Sequence, residues 1–211
     1  MNYSIIIYII GMILKLEAAF MVLPIVTSLI YQETSGFAFL ITIILCLAIG
    51  IPLTWKKPTR KAFYTKEGFV TVALSWIVLS IMGAIPFVIS HSIPNPIDAL
   101  FETVSGFTTT GASILNNVEA LPNCMLIWRS FTHWIGGMGV LVFILSLLPL
   151  TGGYHMNLMK AESPGPSVSK LAPKVQSTAK ILYTIYFAMT VVQMILLLLG
   201  GMPLFDTICT A

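Results

Sequence analysis

The sequence predicts an all-α integral membrane protein: about five transmembrane helices, plus a re-entrant pore helix and a filter loop. Three observations carry this. Of the 211 residues, 57% are hydrophobic and 9% charged, against a charged share of about 25% in soluble domains, so the apolar excess must face lipid. Residues 34–55, 68–90 and 181–202 carry no charge over the roughly 20 positions that a spanning helix needs. Between two of the spans lies an apolar run too short to cross. A formal net charge of +3 offers no basic surface for nucleic acid. Cys46, Cys124 and Cys209 are too few and too scattered for a disulfide framework or a thiolate metal site.

The first span covers about residues 4–31 and is interrupted by Lys15 and Glu17. It has no positive start and no small-residue cleavage pattern, so it is expected to stay in the mature protein rather than act as a signal peptide. Lys15 and Glu17 stand two apart and cannot face each other on a helix, so each needs another partner or the interface. Residues 34–55 and 68–90 form the second and third spans. The fourth, about 122–149, is interrupted by Arg129 and His133 near one end, and residues 181–202 form the fifth.

Nine of the eleven Lys and Arg residues fall in two connections: Lys56, Lys57, Arg60, Lys61 and Lys66 in one, Lys160, Lys170, Lys174 and Lys180 in the other. The positive-inside rule places both in the cytoplasm, together with the amino terminus. Glu33, Asp98, Glu102, Glu119 and Asp206 then fall on or near the outer side. There they either raise the local cation concentration at an opening or, as for Glu33 and Glu119, are simply solvated at loop ends.

Both ends of the segment 92–122 must therefore be outside. Asn95 suits a helix cap, Pro96 the first helical position, and Asp98 the positive end of the dipole. The 12 residues from Pro96 to Phe107 are too few to cross, so the helix dips into the membrane and returns. The next residues, Thr108, Thr109, Thr110, Gly111, Ala112 and Ser113, must climb back as non-helical backbone, which is tolerated at membrane depth only against protein or a water-filled cavity. Threonine favours extended structure and Gly111 can turn its neighbours' carbonyls toward a common axis. A row of such oxygens can replace the hydration shell of a cation, aided by the negative end of the short helix. The spacing also allows a threonine-rich outer loop with a turn glycine.

Four blocks together resemble the Trk/Ktr/HKT superfamily of potassium transporters, most of all bacterial TrkH-type uptake subunits. They are FETVSGFTTTGAS from Phe101, WRSFTHWIGGMGVLV from Trp128, AESPGPSVSKLAPKVQSTAKILYTIY from Ala161 and PLFDTICTA from Pro203. The resemblance implies a pore of four similar units, each an outer helix, a pore helix with filter, and an inner helix. It implies two leading helices with a basic connection at 1–65, a first complete unit at 66–150, a cytoplasmic linker at 151–176, and at 177–211 a second unit truncated in its pore helix. A repeat is visible without it, since Ile97–Asp98 and Phe205–Asp206 each open a short apolar stretch after a charge-free span. The sequence is therefore expected to be part of a longer chain, or a truncation unable to build such a pore alone.

Carried over residue by residue, the resemblance implies potassium contacts from Thr109 and Thr110, with Thr108, Gly111 and Ala112 completing the filter wall. Potassium is the transported ligand and no covalently bound cofactor is expected. By charge alone, Arg129 needs a partner at membrane depth. Either it hydrogen-bonds Glu102 or filter-loop carbonyls, bracing the filter, or it snorkels to the interface. Gly136, Gly137 and Gly139 provide close helix packing or a hinge, and His133, without a companion ligand, reads as structural. The resemblance further implies a bacterial inner-membrane protein, surrounded by lipid, dimeric as a homodimer when full length, and docked by a ring of TrkA-like nucleotide-binding subunits. The short basic linker is a place for such docking or for anionic headgroups. An intramembrane enzyme would need facing carboxylates or histidines, and Glu17 and His133 are isolated. A non-conducting accessory protein is the other alternative.

Overall fold

In a computed structural model, residues 3–56, 65–139 and 175–211 are described, and they are helical with no strand. The helices are α1 (Tyr3–Phe20), α2 (Val22–Ile30), α3 (Gly36–Trp55), α4 (Thr65–Ile89), α5 (Pro96–Phe107), α6 (Asn123–Met138), α7 (Val175–Leu199) and α8 (Leu204–Thr210), with a 3-10 turn at Val118–Ala120. Among the described residues, four stretches are long and apolar enough to cross a membrane: Tyr3–Ile30, Gly36–Trp55, Lys66–Ile89 and Lys180–Leu199. Lys57, Arg60 and Lys61, the second half of the expected fourth span, and residues 151–174 with Lys160, Lys170 and Lys174 lie outside the described residues.

The first expected span is two helices in line rather than one. Pro24 has no amide to offer the Phe20 carbonyl and its ring crowds that position, so α1 stops at Phe20 and α2 starts at Val22. The Met21 amide still reaches the Glu17 carbonyl at 3.0 Å, which keeps the direction of the chain.

Two compact units divide the chain. The first holds residues 1–60 and 73–137, the second 61–72 and 138–211. In the first, α1 and α3 pack through Gly11 and Gly50, where a Cβ on either would sit 3.0 Å from the other's carbonyl oxygen. Small residues permit this approach, and dispersion between close backbones replaces a hydrophobic driving force that lipid does not supply. The core gathers Met21, Phe39, Phe87, Cys124, Met125 and Trp128, all buried. Trp128 is 0% exposed, donates its indole N–H to the Gly83 carbonyl at 2.9 Å, and meets the Phe39 ring edge-on at 6.0 Å. Buried threonines turn their hydroxyls back on their own helices, Thr42 to the Ala38 carbonyl and Thr103 to the Ala99 carbonyl, both at 2.8 Å. No hydroxyl of these is left bare in the apolar interior. Large apolar side chains such as Leu29 and Trp55 are exposed, as a lipid-facing surface allows.

In the second unit, α7 ends with Gly201 at φ 85° and amide bonds from Gly200, Gly201 and Met202 back to the last turn, a glycine-dependent stop. Pro203 then opens α8, with Asp206 in its first turn. Phe205 and Asp206 occupy the second and third positions of α8, as Ile97 and Asp98 do in α5.

Candidate functional site

Helix α5 begins as its sequence dictates. The Asn95 side chain accepts from the Ile97 amide at 3.0 Å, Pro96 is the first helical residue, and Asp98 lies in the first turn. Its inward face is buried: Ala99, Glu102, Thr103, Ser105, Gly106 and Phe107. Phe107, 1% exposed, anchors the far end with its ring 6.1 Å from that of Trp76.

The chain then reverses. The amides of Thr108, Thr109 and Thr110 bond back to the carbonyls of Val104, Gly106 and Ser105 at 2.9–3.0 Å. The extended stretch expected from Thr108 thus begins only near Gly111, because the orphan carbonyls at a helix end capture the next amides first. The reversal uses left-handed backbone twice, at Thr109 (φ 54°) and Gly111 (φ 74°). Glycine takes such angles freely; threonine, β-branched, does so only when its surroundings impose it. Thr109 is held by its amide bond and by its hydroxyl donating to the Thr108 carbonyl at 2.7 Å. The Thr108 hydroxyl donates to the Val104 carbonyl and meets the Thr110 hydroxyl at 2.8 Å. Residues 108 to 114 are exposed.

The returning chain hangs from α5 by side chains spaced along the helix. Ser105 donates to the Ala112 carbonyl at 2.6 Å. One turn back, Glu102 accepts from the Ser113 hydroxyl at 3.0 Å and the Ile114 amide at 3.1 Å. The same carboxylate, 1% exposed, accepts from Arg129 Nε of α6 at 2.5 Å. Arg129 is thereby paired within the protein, and Glu102 of α5 is the shared acceptor for the returning loop and for α6. His133 Nδ1 lies 3.0 Å from the Arg129 carbonyl, a local contact within α6.

Glycines set how closely α6 approaches. A Cβ on Gly136 would strike the Phe107 carbonyl, and one on Gly106 would strike the Thr132 hydroxyl. Gly136 therefore touches the last residue of the short helix. Gly139 stands just past the end of α6 with φ 71°, and its carbonyl accepts from the Tyr183 hydroxyl at 3.1 Å.

Sequence reasoning missed Ser105, Gly106, Thr132 and the role of Glu33, and it placed Ser113 in the returning stretch without its bond to Glu102. The sequence leaves Glu33 open between a cation-attracting and a merely solvated carboxylate, yet this residue caps α6: its oxygens accept from the Asn123 amide at 2.7 Å and the Cys124 amide at 2.9 Å. The turn holding it is tied by the Ser28 hydroxyl donating to the Glu33 carbonyl at 2.6 Å. Acidic residues are favoured at helix starts, but a signal 90 positions away in sequence is not visible locally. Partial burial pushes the Glu33 carboxyl up, yet the two amides outweigh it and hold the group below its ordinary value. A lowered folded value means that the stabilisation is fully present above the unfolded value of about 4.3 and disappears as the pH falls through the lower folded value. We expect Glu33→Gln to cost about 1 kcal/mol, the usual worth of a helix cap. It should also flatten the acid limb of a melting-temperature profile, whereas an unchanged acid limb would rule out this clamp.

The arrangement is a short half-buried helix whose carboxyl end meets a turn of exposed hydroxyls and carbonyls, all of them electron-rich oxygens. Among the described residues no group of three or more His, Cys, Asp or Glu side chains is placed to hold a metal ion. Oxygen donors without fixed charge suit a monovalent cation in passage.

Comparison with known proteins points the same way. The family model TrkH, described as cation transport protein, matches residues 35–210. The chain is 41% identical to the Trk system potassium uptake protein TrkH of Salmonella typhimurium over 212 residues, covering 99% of this chain and 44% of that protein. It is 38% identical to the Trk system potassium uptake protein TrkG of Escherichia coli K12, covering 94% and 42%. The crystal structure of the potassium transporter TrkH from Vibrio parahaemolyticus superposes with a TM-score of 0.81 at 30% identity, covering all of this chain and 42% of that one. The chain thus spans less than half the length of these relatives.

Proposed function

The chain belongs to the TrkH family of cation transport proteins, and from that premise we propose that it contributes to potassium uptake across the cell membrane, with the turn after α5 as one filter of a conducting pore. It is an integral membrane protein, with four spans among the described residues long and apolar enough to cross. The observation that carries the reading is the suspension of residues 112–114 from buried Ser105 and Glu102. A loose outer loop has no need of a buried ion pair behind it.

In this reading potassium is cargo. It passes the oxygens of Thr108, Thr109, Thr110, Gly111 and Ala112, with Thr109 and Thr110 as the main contacts, while Glu102 and Arg129 hold the wall. The negative end of α5, worth about half a charge, favours a partly dehydrated cation where the helix stops. Movement follows the membrane potential and needs no covalent chemistry. The amino terminus is cytoplasmic in the bacterial inner membrane, the full-length protein is a homodimer, and a ring of TrkA-like nucleotide-binding subunits regulates it from the cytoplasm.

The test is potassium-limited growth and rubidium uptake of an uptake-deficient bacterium carrying the full-length gene. Gly111→Ser is the informative variant. No atom stands within 4 Å of a Cβ at this position, so the substitution acts through the left-handed backbone (φ 74°) and not through a clash. Strain of about 1–3 kcal/mol at such a residue is enough to lower the potassium-over-sodium preference by roughly tenfold. Unchanged relative uptake of the two ions would remove the filter assignment.

A further inference from the structure

Glu17 lies near the end of α1, 1% exposed, and neither of its carboxyl oxygens has a hydrogen-bond partner among the described residues. It takes no part in the filter support described above. Its position is defined by Gly83 of α4. A Cβ at Gly83 would sit 3.4 Å from Glu17 Oε1, 2.9 Å from Thr103 Cγ2 and 3.1 Å from the Phe107 ring. The carboxyl group and the last turn of α5 therefore flank the same point on α4, whose carbonyl is already occupied by the Trp128 indole.

No described cation faces it. Helix α3 contributes Cys46, fully buried and clustered with Leu14 and Ala18 of α1. The 73–89 stretch of α4 contains no ionisable residue. On α6, Arg129 is committed to Glu102 and His133 to a backbone carbonyl. On α5, Glu102 is itself acidic. Lys15 stands two positions away on α1, a separation that puts it on another side of the helix, with its Cγ beside Gly50.

We propose that Glu17 is a proton-binding site behind the pore helix: its carboxyl group carries a proton, and this neutral form is what allows α1, α3 and α4 to close around it. An ionised carboxylate with no donor is strongly disfavoured in a protein interior surrounded by lipid. Ionisation here would also set a full negative charge beside the end of α5, which already bears the negative pole of its dipole. The ligand is a proton and not a metal ion, since among the described residues no group of three or more His, Cys, Asp or Glu side chains gathers at Glu17 to hold one.

The inference is independent of potassium transport and is tested on the full-length protein in lipid, without an uptake assay. Glu17→Gln matches the neutral acid in shape. The infrared difference between wild type and this variant at neutral pH should show a carboxylic-acid carbonyl band that shifts on deuteration, with the melting temperature unchanged. A difference that instead shows the paired stretches of an ionised carboxylate overturns the proposal. If the variant fails to accumulate, wild type grown on carboxyl-labelled glutamate takes its place, and the absence of any isotope-shifted acid band overturns the proposal equally.

Discussion

Glu102→Ala is expected to lower stability by about 3–5 kcal/mol, the usual penalty for stranding one partner of a buried ion pair, and to abolish rubidium uptake. Three donors lose their common acceptor at once: the Arg129 guanidinium, the Ser113 hydroxyl and the Ile114 amide. The measurement is the melting temperature of the protein in detergent beside uptake in cells. Glu102→Gln should fall between, because its carbonyl oxygen still accepts from Ile114 while the charge pairing with Arg129 is lost. Exchanging the two charges, Glu102→Arg with Arg129→Glu, should rescue incompletely: an arginine at 102 accepts nothing, so the loop loses its tether even where the ion pair reforms. Wild-type stability and uptake in Glu102→Ala would show that the shared acceptor is irrelevant to the filter.

Gly136→Ala is expected to disable transport in a protein that still folds. The added methyl group would meet the carbonyl oxygen, carbonyl carbon and Cα of Phe107, all of them backbone. No side chain can swing aside, so the end of α5 and the turn beyond it must move, at about 1–3 kcal/mol of overpacking. Gly106→Ala is the control. Its nearest obstacle is the Thr132 hydroxyl, so Gly106→Ala combined with Thr132→Ala should recover part of the loss, whereas no side-chain truncation should recover Gly136→Ala. Uptake unaffected by Gly136→Ala would mean that the contact between α6 and the filter turn tolerates displacement.

These two expectations rest on residues of unequal visibility. The boundaries of α5 follow from Asn95, Pro96 and Phe107, because caps, proline and apolar length act within a few residues. Arg129 announces a need for a partner by its charge alone, and Glu102 is one of the partners open to it. The glycines of α6 are legible only as close packing or hinge. Gly136 faces Phe107 and Gly139 sits past the helix end with left-handed backbone, a distinction that depends on which helix lies opposite.

Thr109 shows the limit from the other side. Its β-branch argues for extended backbone, yet the structure places it at φ 54°. Helix-end carbonyls that must be satisfied override that local preference. Ser105 gives no signal and Ser113 is legible only as part of the polar returning stretch, since a serine on a membrane helix or loop is ordinary until the chain folds back beside it.

Lipid imposes a one-dimensional rule, that every spanning stretch be long, apolar and helical, and a one-dimensional sequence is enough to obey it; hence the class, four of the expected spans and the short intervening helix are written there. Which groups meet was decided only when the chain closed in space. Glu33 finds α6 at a separation of 90 residues, Arg129 finds Glu102 at 27, and Glu17 finds no partner among the described residues. Burial makes each of these contacts matter, since a polar group in an apolar interior must be satisfied by whatever packing brings to it.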